Sequence, residues 1–235
     1  GGGLVAATEH LSDAFVILNG DVACDVDLGS LFMGLSESLG VMVLRVQGPG
    51  ERYGIIATDS EEQVVDLVGL ASLDPKGEVR KDRHFTGIHG LRREALGLVP
   101  PGQACIVRTA YQQMVTDGMV KAQHHDGTWL DLGDPARYLK ANRAVLRDEV
   151  ALPLDPWEHA AFGVRLTGER FGSGDEVSVD ESAALVGPVW IGPGAEVGAN
   201  ARIGSEVVLG ANSKVGAGAR LSRCVVWDGA EVPAG

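Results

Sequence analysis

Residues 191–216 read IGPGAEVGANARIGSEVVLGANSKVG. A large apolar residue returns at every sixth position. The series runs from Val179 through Leu185, Ile191, Val197, Ile203, Leu209, Val215 and Leu221 to Trp227, and Gly192, Gly198, Gly204, Gly210 and Gly216 follow five consecutive members. A strict period of six marks a hexapeptide repeat and predicts a parallel β-helix over 177–235. Each hexad supplies a short strand and a turn. The large residue points into the prism, and the glycine is expected to permit the corner. With three hexads per coil the segment makes roughly three coils. Such a repeat is a scaffold and carries no chemistry of its own.

Upstream, residues 148–176 contain Pro153, Pro156 and four glycines between 163 and 174, the composition of a connector. Residues 1–147 follow a different rule. Strand-like runs at 14–18, 41–46, 53–58, 63–68, 85–91 and 119–124 alternate with helix-like segments. The helical segments are Leu4–Leu11, the stretch holding Leu28, Leu31, Phe32, Leu35 and Leu39, and Ile106–Thr116. Asp134-Pro135 opens a further helix to Leu146, with Asp134 as N-cap and Pro135 in the first helical position. This alternation predicts an α/β sheet domain. Within it, Phe15–Val22 reads FVILNGDV. A short apolar run suits a parallel strand covered on both faces. The Asn-Gly break then leaves Asp21 at the strand's carboxyl end, where open α/β sheets bind ligands. Capping a turn is the competing role for Asp21.

The chain has 235 residues and a formal net charge of -12, with no Lys/Arg cluster. That composition argues against nucleic-acid and anionic-membrane binding. No apolar run reaches the roughly 18–20 residues of a membrane span. Cys24, Cys105 and Cys224 are scattered, without a CxxC, which suits a reducing, cytoplasmic setting.

A second acid-bearing stretch, Trp129–Asn142, reads WLDLGDPARYLKAN. Here the chain resembles the sugar-1-phosphate nucleotidylyltransferases, the NDP-sugar pyrophosphorylases, and among them the mannose-1-phosphate guanylyltransferases. WLDLGDPARYLKAN is similar to that family's W-x-D-x-G-T-P and its tyrosine-leucine helix. FVILNGDV resembles its metal-aspartate strand, GGGLVAA at 1–7 the end of its nucleotide loop, and RYGII at 52–56 its Y-G-x-V strand. Several members carry a C-terminal left-handed β-helix. The resemblance covers nearly the whole chain. It implies a Rossmann-like α/β sheet over 1–147, N-terminally incomplete, followed by the β-helix. The implied reaction is NTP + sugar 1-phosphate → NDP-sugar + pyrophosphate. Asp21 and Asp131 match the catalytic, metal-binding aspartates, with Mg²⁺ as cofactor. Gly1, Gly2, Gly3, Asn19 and Gly20 match nucleotide-binding positions. Tyr53, Gly54, Thr86 and Gly87 match sugar-phosphate-binding ones. Hard carboxylate oxygens and glycine-lined loops suit magnesium and phosphate respectively.

Three departures qualify the match. The family's phosphate loop, G-x-G-T-R-x-x-P, is absent, so the chain is expected to be incomplete and inactive alone. An E-K-P before the sugar-binding glycine is also absent, leaving Lys76 and Lys81 as candidate cations near Asp66. Phe85-Thr86 replaces the usual Asn-Ala. A non-catalytic regulatory or assembly subunit of the same family is the alternative. His124-His125 cannot easily share an ion, since adjacent strand residues point to opposite faces. A hexapeptide acyltransferase would need a histidine in or beside the coils, and none follows His159. A β-helix with open ends is expected to assemble as a homo-oligomer.

Overall fold

The computed structural model describes residues 1–102, 104–151 and 177–235, together with the backbone of 164–166. Most of the connector expected at 148–176 lies outside the described residues. The chain divides into two compact units, Gly1–Trp129 and Leu130–Gly235. Among the described residues no helix is long and apolar enough to cross a membrane.

The first unit is built on a six-stranded sheet. Its strands are β1 (Ala14–Leu18), β3 (Gly40–Val46), β4 (Ile55–Thr58), β5 (Val64–Leu67), β6 (Arg80–Arg92) and β7 (Val120–His124), in the order β5-β4-β6-β3-β7 with β1 also on β6; β2 (Val22–Cys24) and β8 (Trp129–Asp131) lie outside it. β3 reads VMVLRV over 41–46 and is covered on both faces. Val41 and Val43 pack with Leu31 of helix α2 (Leu28–Gly34) and with Leu35, its C-cap residue. Met42 and Leu44 pack with Tyr111 and Met114 of helix α3 (Ala110–Thr116). The Asp27 carboxylate caps α2, accepting from the Gly29 and Ser30 amides at 2.9 and 3.3 Å.

Within this sheet, among the described residues, β3 and β7 form the one parallel pair. β1 is antiparallel to β6, with Ala14 opposite Arg92 and Leu18 opposite Ile88, so the parallel direction expected for residues 14–18 is wrong. The two-faced burial behind that expectation is right: Phe15 joins one core cluster and Val16 the other. An apolar run encodes burial, and burial is indifferent to strand direction.

The second unit opens with helix α4 (Pro135–Leu146). Its N-cap, Asp134, accepts from the Arg137 amide at 2.8 Å. The strands that follow are two or three residues long and stack into three parallel ladders. One ladder is β10 (Ser178–Val179), β13 (Glu196–Val197), β16 (Lys214–Val215) and β19 (Glu231–Val232). The second is β11 (Ala184–Leu185), β14 (Arg202–Ile203) and β17 (Arg220–Leu221). The third is β12 (Val189–Ile191), β15 (Val207–Leu209) and β18 (Cys224–Val226), with β9 (Val164–Leu166) antiparallel against β12. Ile191, Val197, Ile203, Leu209 and Val215 fill the prism, as their spacing predicts.

The period then slips. Leu209 pairs with Val226, not with Trp227. Trp227 is 67% exposed and Val226 9% exposed, so the expected inward place of Trp227 is corrected. The cause is one missing turn residue. Ser222-Arg223 joins β17 to β18, where three residues, Gly204 to Glu206, join β14 to β15. Displaced outward, Trp227 meets Tyr138 of α4 edge-on at 6.1 Å. Arg143 and Arg147 fix the same helix to Glu206 at 2.5 and 3.0 Å.

The role expected for the repeat glycines also needs correction. Positive φ falls on Gly194, Asn200, Glu206, Asn212 and Gly218, so these make the corners. Gly210 and its equivalents instead let successive coils approach closely. A Cβ on Gly210 would stand 2.5 Å from the Asp228 amide nitrogen. Backbone cannot retreat as a flexible side chain can, so Gly210→Ala is expected to lower stability by about 1–3 kcal/mol in urea unfolding.

Candidate active site

In the first unit, four separated stretches converge on a bend in β6. The bend is at Gly87, whose φ is +82°. Asn19, beyond the end of β1, donates its amide N–H to the Gly87 carbonyl at 3.2 Å. Its side chain lies over the same glycine: a Cβ on Gly87 would stand 2.4 Å from Asn19 Nδ2. Both the conformation and the contact therefore require glycine. Thr86 precedes it and is buried; its hydroxyl donates to the Val43 carbonyl at 2.8 Å. Trp129 Nε1 donates to the Thr86 carbonyl at 2.9 Å.

Around Trp129 sits a polar and aromatic cage. Tyr53 stacks on His84 with centroids 4.4 Å apart and meets Trp129 edge-on at 5.6 Å. The Arg45 guanidinium lies over the indole, 5.1 Å from its centroid. Arg45 Nη1 also donates to Glu51 Oε2 at 2.7 Å and lies 3.2 Å from His84 Nε2. His84 is fully buried, and its Nδ1 is 3.1 Å from the Phe85 carbonyl. A carbonyl only accepts, so Nδ1 carries the proton and Nε2 accepts from Arg45. Burial works to raise the Glu51 carboxyl; the Gly48 amide and Arg45 outweigh it and hold it below the usual carboxylate range.

The glycines at the chain start fall into two groups. A Cβ on Gly1 or Gly2 would strike the Ala104 or Gly102 carbonyl oxygen at 2.4 and 2.2 Å, so these two seat the start of helix α1 (Gly2–Ala6) against Gly102 and Ala104. Gly3 and Gly20 have open space around them, which leaves room for a ligand. Gly54 is held close by Val68, whose Cγ1 would lie 2.8 Å from an added Cβ. Lys76 pairs with Glu61 at 3.5 Å on an exposed loop, and Lys81 is exposed at the start of β6. Neither takes part in the cage around Trp129.

Asp21 is exposed at the carboxyl end of β1. Asp131 belongs to the second unit. Its Oδ1 accepts from the Gly133 amide at 2.9 Å, and its Oδ2 accepts from Arg137. Among the described residues no three His, Cys, Asp or Glu side chains gather to hold a metal. Magnesium needs only one or two carboxylates alongside phosphate oxygens and water. Asp131 suits it: its oxygens are hard donors, and one already draws a cation. His124 and His125 take separate partners, Asp126 at 2.6 Å and the Thr128 carbonyl at 3.0 Å.

Arg45, Glu51, His84 and Arg137 escaped the sequence reading. One signal was available. Arg45 interrupts an otherwise apolar strand, and a charge in such a run needs a buried partner.

Residues 185–235 match the family model described as the GMPPB C-terminal domain. The chain is 26% identical over 242 residues to a mannose-1-phosphate guanylyltransferase of Mycobacterium tuberculosis, covering 100% of this chain and 58% of the relative. It is 28% identical over 233 residues to the mannose-1-phosphate guanyltransferase of Schizosaccharomyces pombe, covering 97% and 56%. It thus spans somewhat over half the length of these relatives. Among solved structures, HddC from Yersinia pseudotuberculosis is similar at 19% identity and a TM-score of 0.44, covering 60% of this chain and 59% of that one. Fold, motifs and relatives agree: this is a sugar-1-phosphate nucleotidylyltransferase-like chain with a C-terminal β-helix.

Proposed function

We propose that the protein transfers a nucleotidyl group from an NTP to a sugar 1-phosphate, giving an NDP-sugar and pyrophosphate. The observation that carries this reading is the convergence of Asn19, Tyr53, Thr86-Gly87 and Trp129 on one strand bend. Asn19, Tyr53, Gly87 and Trp129 each stand at a position that the resemblance ties to the same reaction. Asn19 and the open Gly20 present backbone and amide groups to the nucleotide. Tyr53 and the Trp129 indole offer flat apolar faces for the sugar, with Arg45 behind them. Asp21 and Asp131 each match a metal-binding aspartate of that family, and each would offer a carboxylate oxygen to Mg²⁺. When bound, it neutralises charge developing on the transferred phosphoryl group and the pyrophosphate. In the same reading the protein is a cytoplasmic homo-oligomer; its three free cysteines support a reducing compartment.

The alternative, a non-catalytic subunit, draws on one observation: the ion pair of Asp131 with Arg137, which supplies a positive charge without a metal. Thermal unfolding separates the two. The enzyme reading expects Mg²⁺ and the correct NTP together, at about a hundred times their dissociation constant, to stabilise the fold by roughly 2–3 kcal/mol. No shift with any NTP would favour the subunit.

A further inference from the structure

Arg137 stands in the first turn of α4, where the helix dipole disfavours a cation. Its contacts offset that cost. Its Nη1 donates to Asp131 Oδ2, and its Nε lies 3.2 Å from Asp134 Oδ2. The Asp131 side chain is 16% exposed, against 48% for Arg137. The acid is enclosed, and the cation reaches in from solvent. The other Asp131 oxygen is held by the Gly133 amide. A divalent cation approaching this carboxylate would meet a guanidinium already seated on it. The two positive charges repel, and the arginine, the more exposed of the two partners, is the one a metal would turn toward solvent.

We infer that Arg137 is a resident counter-cation of Asp131, which a divalent metal displaces when it binds. The inference rests on the reading of Asp131 as a metal ligand. Metal affinity is then set by exchange between arginine and metal, and the acid stays compensated when no metal is present. The arginine's half-exposure keeps the pair weak enough to exchange.

Mn²⁺ binding to the full chain, followed by calorimetry and by the spin-resonance signal of free Mn²⁺, tests this at constant ionic strength. Arg137→Gln is expected to tighten Mn²⁺ binding about three- to fivefold. Arg137→Lys keeps a cation and is expected to stay near wild type. Asp131→Asn is expected to weaken binding at least tenfold in either background. An Arg137→Gln affinity equal to or below wild type, with Asp131→Asn still weakening it, would overturn the inference and leave the metal site standing. Equal tightening in the Gln and Lys variants would overturn charge competition. No effect of Asp131→Asn, or no Mn²⁺ binding at all, would overturn the metal site and the inference with it.

Discussion

In the complete gene product, replacing Asp21 with Asn is expected to lower the proposed nucleotidyl transfer by about a thousandfold while leaving the fold intact. Asp21 lies beyond the end of β1, exposed, and among the described residues it makes no hydrogen bond or ion pair. The change is isosteric, so stability should move by no more than about 0.5 kcal/mol. What is lost is a negative oxygen donor. Asn can still offer one carbonyl oxygen, but without charge, and Mg²⁺ bound through few protein ligands depends heavily on each carboxylate. The rate loss is expected because a bound Mg²⁺ would supply the charge that offsets the leaving pyrophosphate. Pyrophosphate release measures the rate, and thermal unfolding measures the fold. If Asp21 only closed the turn after β1, the two readouts would exchange: stability would fall and turnover would persist.

The second large effect concerns acid. His89 on β6 is 4% exposed, and its Nδ1 lies 2.7 Å from the Tyr111 hydroxyl. Burial disfavours the charged imidazolium and lowers its pKa from 6.5 to about 4. Burial pushes the Tyr111 hydroxyl the other way, well above its ordinary value. The unfolded chain takes up a proton at His89 near pH 6.5, whereas the folded chain resists until about pH 4. Protons therefore favour unfolding throughout that window. Full stability from this group is present above pH 6.5 and is lost as pH falls toward 4. A pKa unit corresponds to about 1.4 kcal/mol, so the loss reaches about 3 kcal/mol by pH 4. Urea unfolding across pH 7 to 4 should show it, on top of a smaller loss from Glu51 and Asp59, whose pKa values are also lowered. In His89→Gln, whose amide can still bond Tyr111, the excess loss should disappear. A variant as acid-sensitive as wild type would place the effect elsewhere.

The β-helix was legible because its signal is a count at one spacing, and inward residues from Val179 to Leu221 obey it. The slip at Ser222-Arg223 was not legible, because the apolar Trp227 sits where the count expects an inward residue. Only the stacking of one coil on the next reveals that Val226 took the place. In the sheet unit, two-faced burial of β1 and β3 could be read, but the direction of β1 depends on pairing with distant β6. At the candidate site, Asn19, Tyr53, Gly87 and Trp129 each announced themselves by motif. The reason for Gly87 did not, since it needs a view of Asn19 lying across the glycine. His84 belongs to no motif that the sequence announces. Its role emerges only when Arg45 and Glu51 are seen around it, brought together from β3 and the loop that follows.

Formation of an NDP-sugar by the complete gene product tests the central claim most directly. The protein would be incubated with Mg²⁺, each common NTP in turn, and mannose, glucose or N-acetylglucosamine 1-phosphate, with products separated by chromatography. One favoured pair is expected to give NDP-sugar and pyrophosphate in equal amounts, with NTP regenerated when pyrophosphate is added in excess. Folded protein that yields no NDP-sugar from any pair would contradict it and leave the non-catalytic subunit as the better reading.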